Sequence, residues 1–150
     1  MGSERYARGA SIVARLAFGD DLLAAVGRLA EEHGVTVGEF RAIGALQRGA
    51  LSFYDQAPPD PRQRSFVPLP LDEPLEIVSL LGTVSRRDGA TAVHAHACLA
   101  DGRGRCYGGH VAEGCVVFAC EVVLDQLAGP PLERVYDPTT GLALWERLSG

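Results

Sequence analysis

His94, His96 and His110 account for three of the four histidines in this 150-residue chain, and their spacing suits metal ligation. In Val93-His94-Ala95-His96-Ala97 the two rings stand two residues apart, so a strand there would project both from one face. Thirteen residues separate His96 from His110, which stands in Gly108-Gly109-His110-Val111, where the glycines let the backbone pack closely and aim His110 inward. Three neutral imidazoles with a fourth position left open are a common way to hold a divalent transition metal, with zinc the first expectation. The competing reading puts two alternating histidines on a solvated face. Spacing alone leaves both open.

Other residues could join such a site. Glu113 lies three residues after His110 and could serve as a general base. Glu121 is a lone charge inside the apolar run CVVFACEVVL, where an unpaired carboxylate is costly; it should pair with an arginine, be hydrogen-bonded or lie near the site. Cys98 continues the His94, His96 alternation and could reach the metal, although free cysteine is usually a small core residue. Arg103 and Arg105 could hold an anionic ligand, but a solvated turn is the simpler reading. His33 falls where a helix should end and is read as structural.

The elements that would carry these residues can be read along the chain. SIVARLAF, residues 11 to 18, reads as a strand, and Asp20 or Asp21 then caps a helix with Leu22, Leu23, Val26, Leu29 and Ala30 at helical spacing. Gly34 ends it. Residues 35 to 45 and 48 to 54 look like two strands parted near Gln47-Arg48-Gly49, with Gly38 and Gly44 marking bends or close approach. Residues 55 to 70 hold five prolines and read as an exposed loop, a candidate rim or lid. Residues 75 to 84 and 115 to 124 are nearly continuous apolar runs, as in strands buried on both faces. Residues 91 to 99 form the histidine strand. The tail, 132 to 148, suggests two short strands about an Asp137-Pro138 turn.

Composition narrows the class. With 47% hydrophobic and 22% charged residues the chain is globular, and its length suits one domain, 1–150, with a core from about 10 to 125 and a strand extension over 126–150. No apolar run is long enough for a membrane helix, and no signal-like segment follows the polar start, so the cytoplasm is the expected compartment. Cys98, Cys106, Cys115 and Cys120 form no C-x-x-C pair and are expected to be reduced and buried. All 14 basic residues are arginine, they are scattered, and the net charge is −5. That balance disfavours DNA as a partner, because it repels a phosphate backbone on average.

The segment HAHACLADGRGRCYGGHVAEGCVVFACEVVL, His94 to Leu124, resembles the signature of the plants and prokaryotes conserved family: H-x-H, a glycine-bearing turn, then G-G-H and a following glycine. The likeness extends to Gly19-Asp20-Asp21-Leu22, Ile43-Gly44-Ala45-Leu46 and Ser79-Leu80-Leu81-Gly82-Thr83. The resemblance implies an α/β (α+β) domain with a curved, mostly antiparallel mixed sheet, one main helix and assembly as a homotrimer. It also implies metal binding by the histidines matching His94, His96 and His110. Plant members lack those histidines and carry AT-hook segments; this chain has no AT-hook and is similar to the metal-bearing branch. Acetolactate decarboxylase shows a comparable, more distant H-x-H and G-G-H pattern, but fold-level analogy cannot transfer its reaction. Three readings follow: a small-molecule metalloenzyme or binder, a DNA-associated regulator, or a trimeric scaffold braced by its metal.

Overall fold

The computed structural model describes residues 3–146; residues 1–2 and 147–150, among them the Leu148 end of the expected tail, lie outside the described residues. Strand β1 (Ala7–Leu16) leads into helix α1 (Leu22–Glu32), followed by β2 (Gly38–Tyr54), β3 (Phe66–Leu71) and β4 (Leu75–Arg87). Then come β5 (Ala90–Ala100), β6 (Cys106–Val111) and β7 (Val116–Ala128), with a separate hairpin of β8 (Arg134–Asp137) and β9 (Leu142–Trp145).

Helix α1 begins where its cap allows. An Asp21 carboxylate oxygen accepts from the Ala24 amide at 3.0 Å, and the other accepts from the Gly114 amide at 2.7 Å. One side chain therefore starts the helix and ties it to the turn between β6 and β7. Asp20 instead pairs with Arg28 at 2.9 Å. Leu22, Val26 and Ala30, four residues apart, face the sheet and are fully buried against a core that includes Phe40, Leu99, Val122 and Leu124. His33 is the C-cap, and its backbone amide reaches back to the Leu29 carbonyl.

The main sheet runs β1-β7-β2-β4-β5-β6, with β3 on β2, and every ladder is antiparallel. Among the described residues the parallel contact is the isolated bridge between Arg86 and Glu133. Strand β2 explains the curvature. Its first half lies between β7 and β4, whereas Leu51 and Ser52 pair with Val111 and His110 of β6, so the sheet curls round and meets itself. Three register shifts mark the bend. Gly44, at φ +136°, lies at one of them, and a Cβ there would strike the Ala119 carbonyl oxygen.

Three sequence expectations change. Residues 38 to 54 form one 17-residue strand, not two, because bulges carry the chain through Gln47-Arg48-Gly49 without ending the ladder. The proline-rich stretch ends in β3, which among the described residues pairs with β2 alone, so Pro68 and Pro70 cost the sheet little. Strands β4 and β7 are covered on one face only: Val78, Leu81 and Phe118 are more than half exposed.

Candidate metal centre

Strand β5 alternates as expected. Ala95, Ala97 and Leu99 face the core, and His94 and His96 project from the opposite, helix-free face. Strand β6 pairs beside it in a register that sets His96 directly opposite His110. Ring centroids are 5.1 Å apart for His94 and His96, 4.9 Å for His94 and His110, and 5.6 Å for His96 and His110. One nitrogen from each ring lies within 4.8 Å of the other two. Two metal–nitrogen bonds of about 2.1 Å span up to about 4.2 Å, so small ring rotations close the gap.

Glycine makes that register possible. A Cβ on Gly109 would sit 2.9 Å from the Ser52 carbonyl oxygen, so a side chain there would push β6 away from β2. Phe66 of β3 packs over His110 with centroids 4.8 Å apart, and Tyr54 packs on Phe66 at 5.0 Å. The proline-rich stretch thus supplies an aromatic wall, close to the rim expected of it.

Burial governs the state of the ring nitrogens. His110 Nδ1 is buried with no hydrogen-bond partner, and an unpaired buried nitrogen is costly unless something binds it. Burial pulls the His94 pKa down to about 4, helped by the Arg134 guanidinium and the neighbouring rings. Burial also lowers His110, with His96 and Arg134 adding to the effect. Both rings are therefore held neutral, the state that ligates metals. A divalent transition ion fits this donor set.

Arg134 was not marked by the sequence. It lies 40 residues beyond His94, and only the β8–β9 hairpin brings it back. Its Nε donates to Ser85 Oγ at 2.8 Å, NH1 to the Ala143 carbonyl at 3.1 Å, and NH2 to Thr83 Oγ1 at 3.3 Å. NH2 also stands 3.4 Å from His94 Nδ1, which sets its positive charge beside that ring. An aromatic face helps, with Cζ 5.8 Å from the Trp145 centroid.

The other candidates lie elsewhere. Glu113 is exposed in a depression beside α1 with Asp21, Arg28 and Thr91, since after Val111 enters the core the chain turns to the helix side. Glu121 is exposed on the helix-free face of β7, opposite Arg15 and Ile43, so it escapes the burial expected of it. Cys98 is half-buried opposite Gly108 and outside the three-histidine group. Cys115 and Cys120 are buried as expected, but Cys106 is exposed; all four thiols are free. Arg105 is held by Asp101 at 2.6 Å in the turn past the end of β5.

A family model described as the Plants and Prokaryotes Conserved (PCC) domain matches residues 3–128. Among solved structures, the metal-containing protein from Archaeoglobus fulgidus is 37% identical with a TM-score of 0.89, covering 97% of this chain and 99% of that one. A plant- and prokaryote-conserved protein from Pyrococcus horikoshii is 31% identical with a TM-score of 0.87, covering 99% of each. A curated relative, the bifunctional protein GlmU of a Synechococcus strain, is 33% identical over 129 residues, 85% of this chain. The chain spans about a fifth (19%) of that relative's length.

Proposed function

Since this chain belongs to the Plants and Prokaryotes Conserved domain family, with all three histidines inside the matched region, we propose that it carries a divalent transition metal on His94, His96 and His110. The observation that carries the reading is the convergence of three ring nitrogens, one of them buried and otherwise unpartnered. The A. fulgidus relative, described as metal-containing, supports it. Zinc is the favoured ion, because imidazole suits it and three nitrogens leave a tetrahedral position free.

A held divalent ion would supply Lewis-acid polarisation to an oxygen-bearing ligand. The chain's own residues do the rest. The ladder of β5 and β6 fixes the rings, Phe66 keeps water from one side of His110, and Arg134 sets a positive charge beside His94. This favours a small-molecule binder or metalloenzyme over a DNA-associated role, which the net charge of −5 opposes.

We also infer self-association, a homotrimer being the family expectation. Val13, Val123, Arg41, Leu81, His96 and His110 stand in one register row across the sheet. Val13 is 77% and Leu81 68% exposed, and Ile43, Phe18 and Phe118 extend the uncovered apolar area. No described helix is long and apolar enough to cross a membrane. Four free thiols fit a reducing compartment such as the cytoplasm.

Cobalt titration tests the metal reading. Cobalt(II) bound by three imidazoles in a four-coordinate site should give intense visible absorption saturating at one equivalent per chain. A spectrum no stronger than that of the aqueous ion at every ratio would refute it.

A further inference from the structure

The histidines open into a cavity of about 640 Å³. Its walls include Tyr54, Phe66, Leu142 and Leu144, and its charged lining is Arg87 and Arg134. Among the described residues no aspartate or glutamate lines it, although the chain has 19 acidic residues against 14 basic ones and a net charge of −5. An acidic protein has thus left one pocket without a single carboxylate.

Arg134 is the more telling of the two cations. Its Nε and NH1 are pinned by Ser85 Oγ and the Ala143 carbonyl, and NH2 by Thr83 Oγ1, all neutral acceptors. It belongs to none of the ion pairs among the described residues. A half-buried guanidinium held in place but not neutralised is a costly arrangement without a counter-ion. One hydrogen on NH1 is left over, and the 3.4 Å contact to His94 is the weakest that NH2 makes. NH1 therefore keeps one hydrogen for an incoming oxygen, and NH2 can exchange its long contact to His94 for a second, the paired contact in which arginine binds carboxylates. Arg87 lines the same cavity, and its only ion-pair partner among the described residues is Asp88, loosely placed at 3.6 Å and outside the lining.

We propose that this cavity binds a small organic carboxylate with an apolar body, its carboxylate held by Arg134 beside His94, with Arg87 as second cation. The apolar walls argue for an organic acid over an inorganic anion, because phosphate would leave Phe66, Leu142 and Leu144 without a partner. The hairpin that delivers Arg134 lies beyond residue 128, where the family match stops, so the anchor comes from a part of the chain outside it. The role of Arg134 does not rest on the metal reading.

Calorimetric titration with benzoate and its neutral isostere benzamide tests this on zinc-loaded and metal-free protein. Benzoate should bind the zinc-loaded protein at least tenfold more tightly than benzamide. Arg134→Gln should lose at least tenfold of the benzoate affinity and most of the preference for benzoate over benzamide, whatever its effect on zinc uptake. In metal-free protein a weaker benzoate preference should persist and still depend on Arg134, so a chain that takes up no zinc would sink the metal reading while leaving this one testable. If Arg134→Gln fails to fold, Arg87→Gln decides: its side chain is exposed, and its loss should weaken benzoate about threefold at an unchanged melting temperature. Equal affinities for benzoate and benzamide, or benzoate affinity within twofold of wild type in every folded variant, would overturn the proposal.

Discussion

His96 and His110 are direct register partners across the β5–β6 ladder, with ring centroids 5.6 Å apart, so backbone hydrogen bonding sets their separation. The candidate centre is rigid for that reason. His94 joins from two residues along the same strand, and Ser52 of β2 holds β6 from the other side. Disturbing the ladder should therefore disturb metal binding without touching a ligand.

Gly109→Ala is the direct trial. The added methyl would lie 2.9 Å from the Ser52 carbonyl oxygen, forcing β6 outward and carrying His110 with it. Zinc affinity should fall about tenfold or more, the range seen when outer supports of a ligand are lost. Competition with a chromogenic chelator measures it; wild-type affinity would show that β2 does not set the position of His110.

Acid should act on the histidines in a stated direction. The His94 pKa is depressed to about 4 in the folded chain, against about 6.5 when unfolded. Between those values the unfolded chain binds more protons, so the metal-free protein should lose stability as pH falls from about 6.5 to about 4, with no further loss from this group below that. Melting curves from pH 7 to 4 check this, and His94→Asn should flatten the slope. An identical slope in the variant would contradict the assignment.

Metal removal separates a ligand-holding centre from a brace. The core around Leu99, Phe40 and Val122 is closed without any ion, so chelated protein should keep its far-ultraviolet circular dichroism. Zinc at a hundredfold above its dissociation constant should add about 2.7 kcal/mol by mass action and raise the melting temperature. Unfolding on chelation would favour the scaffold reading.

Leu99 tests the packing behind the site. It is fully buried on the strand that carries His94 and His96, and Leu99→Ala should cost about 3 kcal/mol in urea denaturation. A loss below about 1 kcal/mol would mean that β5 is less firmly seated than its burial implies.

Leu81→Asp addresses self-association. Leu81 is 68% exposed beside His96 in the register row, and a charge there should shift the mass measured by light scattering toward the monomer. Unchanged mass would place the contact elsewhere.

Much of this was legible in the chain. Alternation about Ala95 put His94 and His96 on one face, and Gly108-Gly109 foretold the close approach that brings His110 in. Asp21 and Gly34 bounded the helix. What sequence hid was long-range or unpartnered. Nothing near Arg134 marks it, because its meaning comes from His94, Thr83 and Ser85, which the hairpin reaches only after folding. Strand β2 was cut in two because Arg48-Gly49 resembles a turn, whereas bulges let one strand bend between two sets of partners. Glu121 was expected to be buried because a continuous apolar run looks the same whether its second face is covered or bare.

The central claim is tested most directly by elemental analysis of purified protein beside its His96→Ala variant. The account predicts about one equivalent of a transition metal, zinc foremost, per wild-type chain, and less than about a tenth of that in the variant at unchanged circular dichroism. Full metal content in His96→Ala, or none in wild type after incubation with zinc at neutral pH, would contradict it.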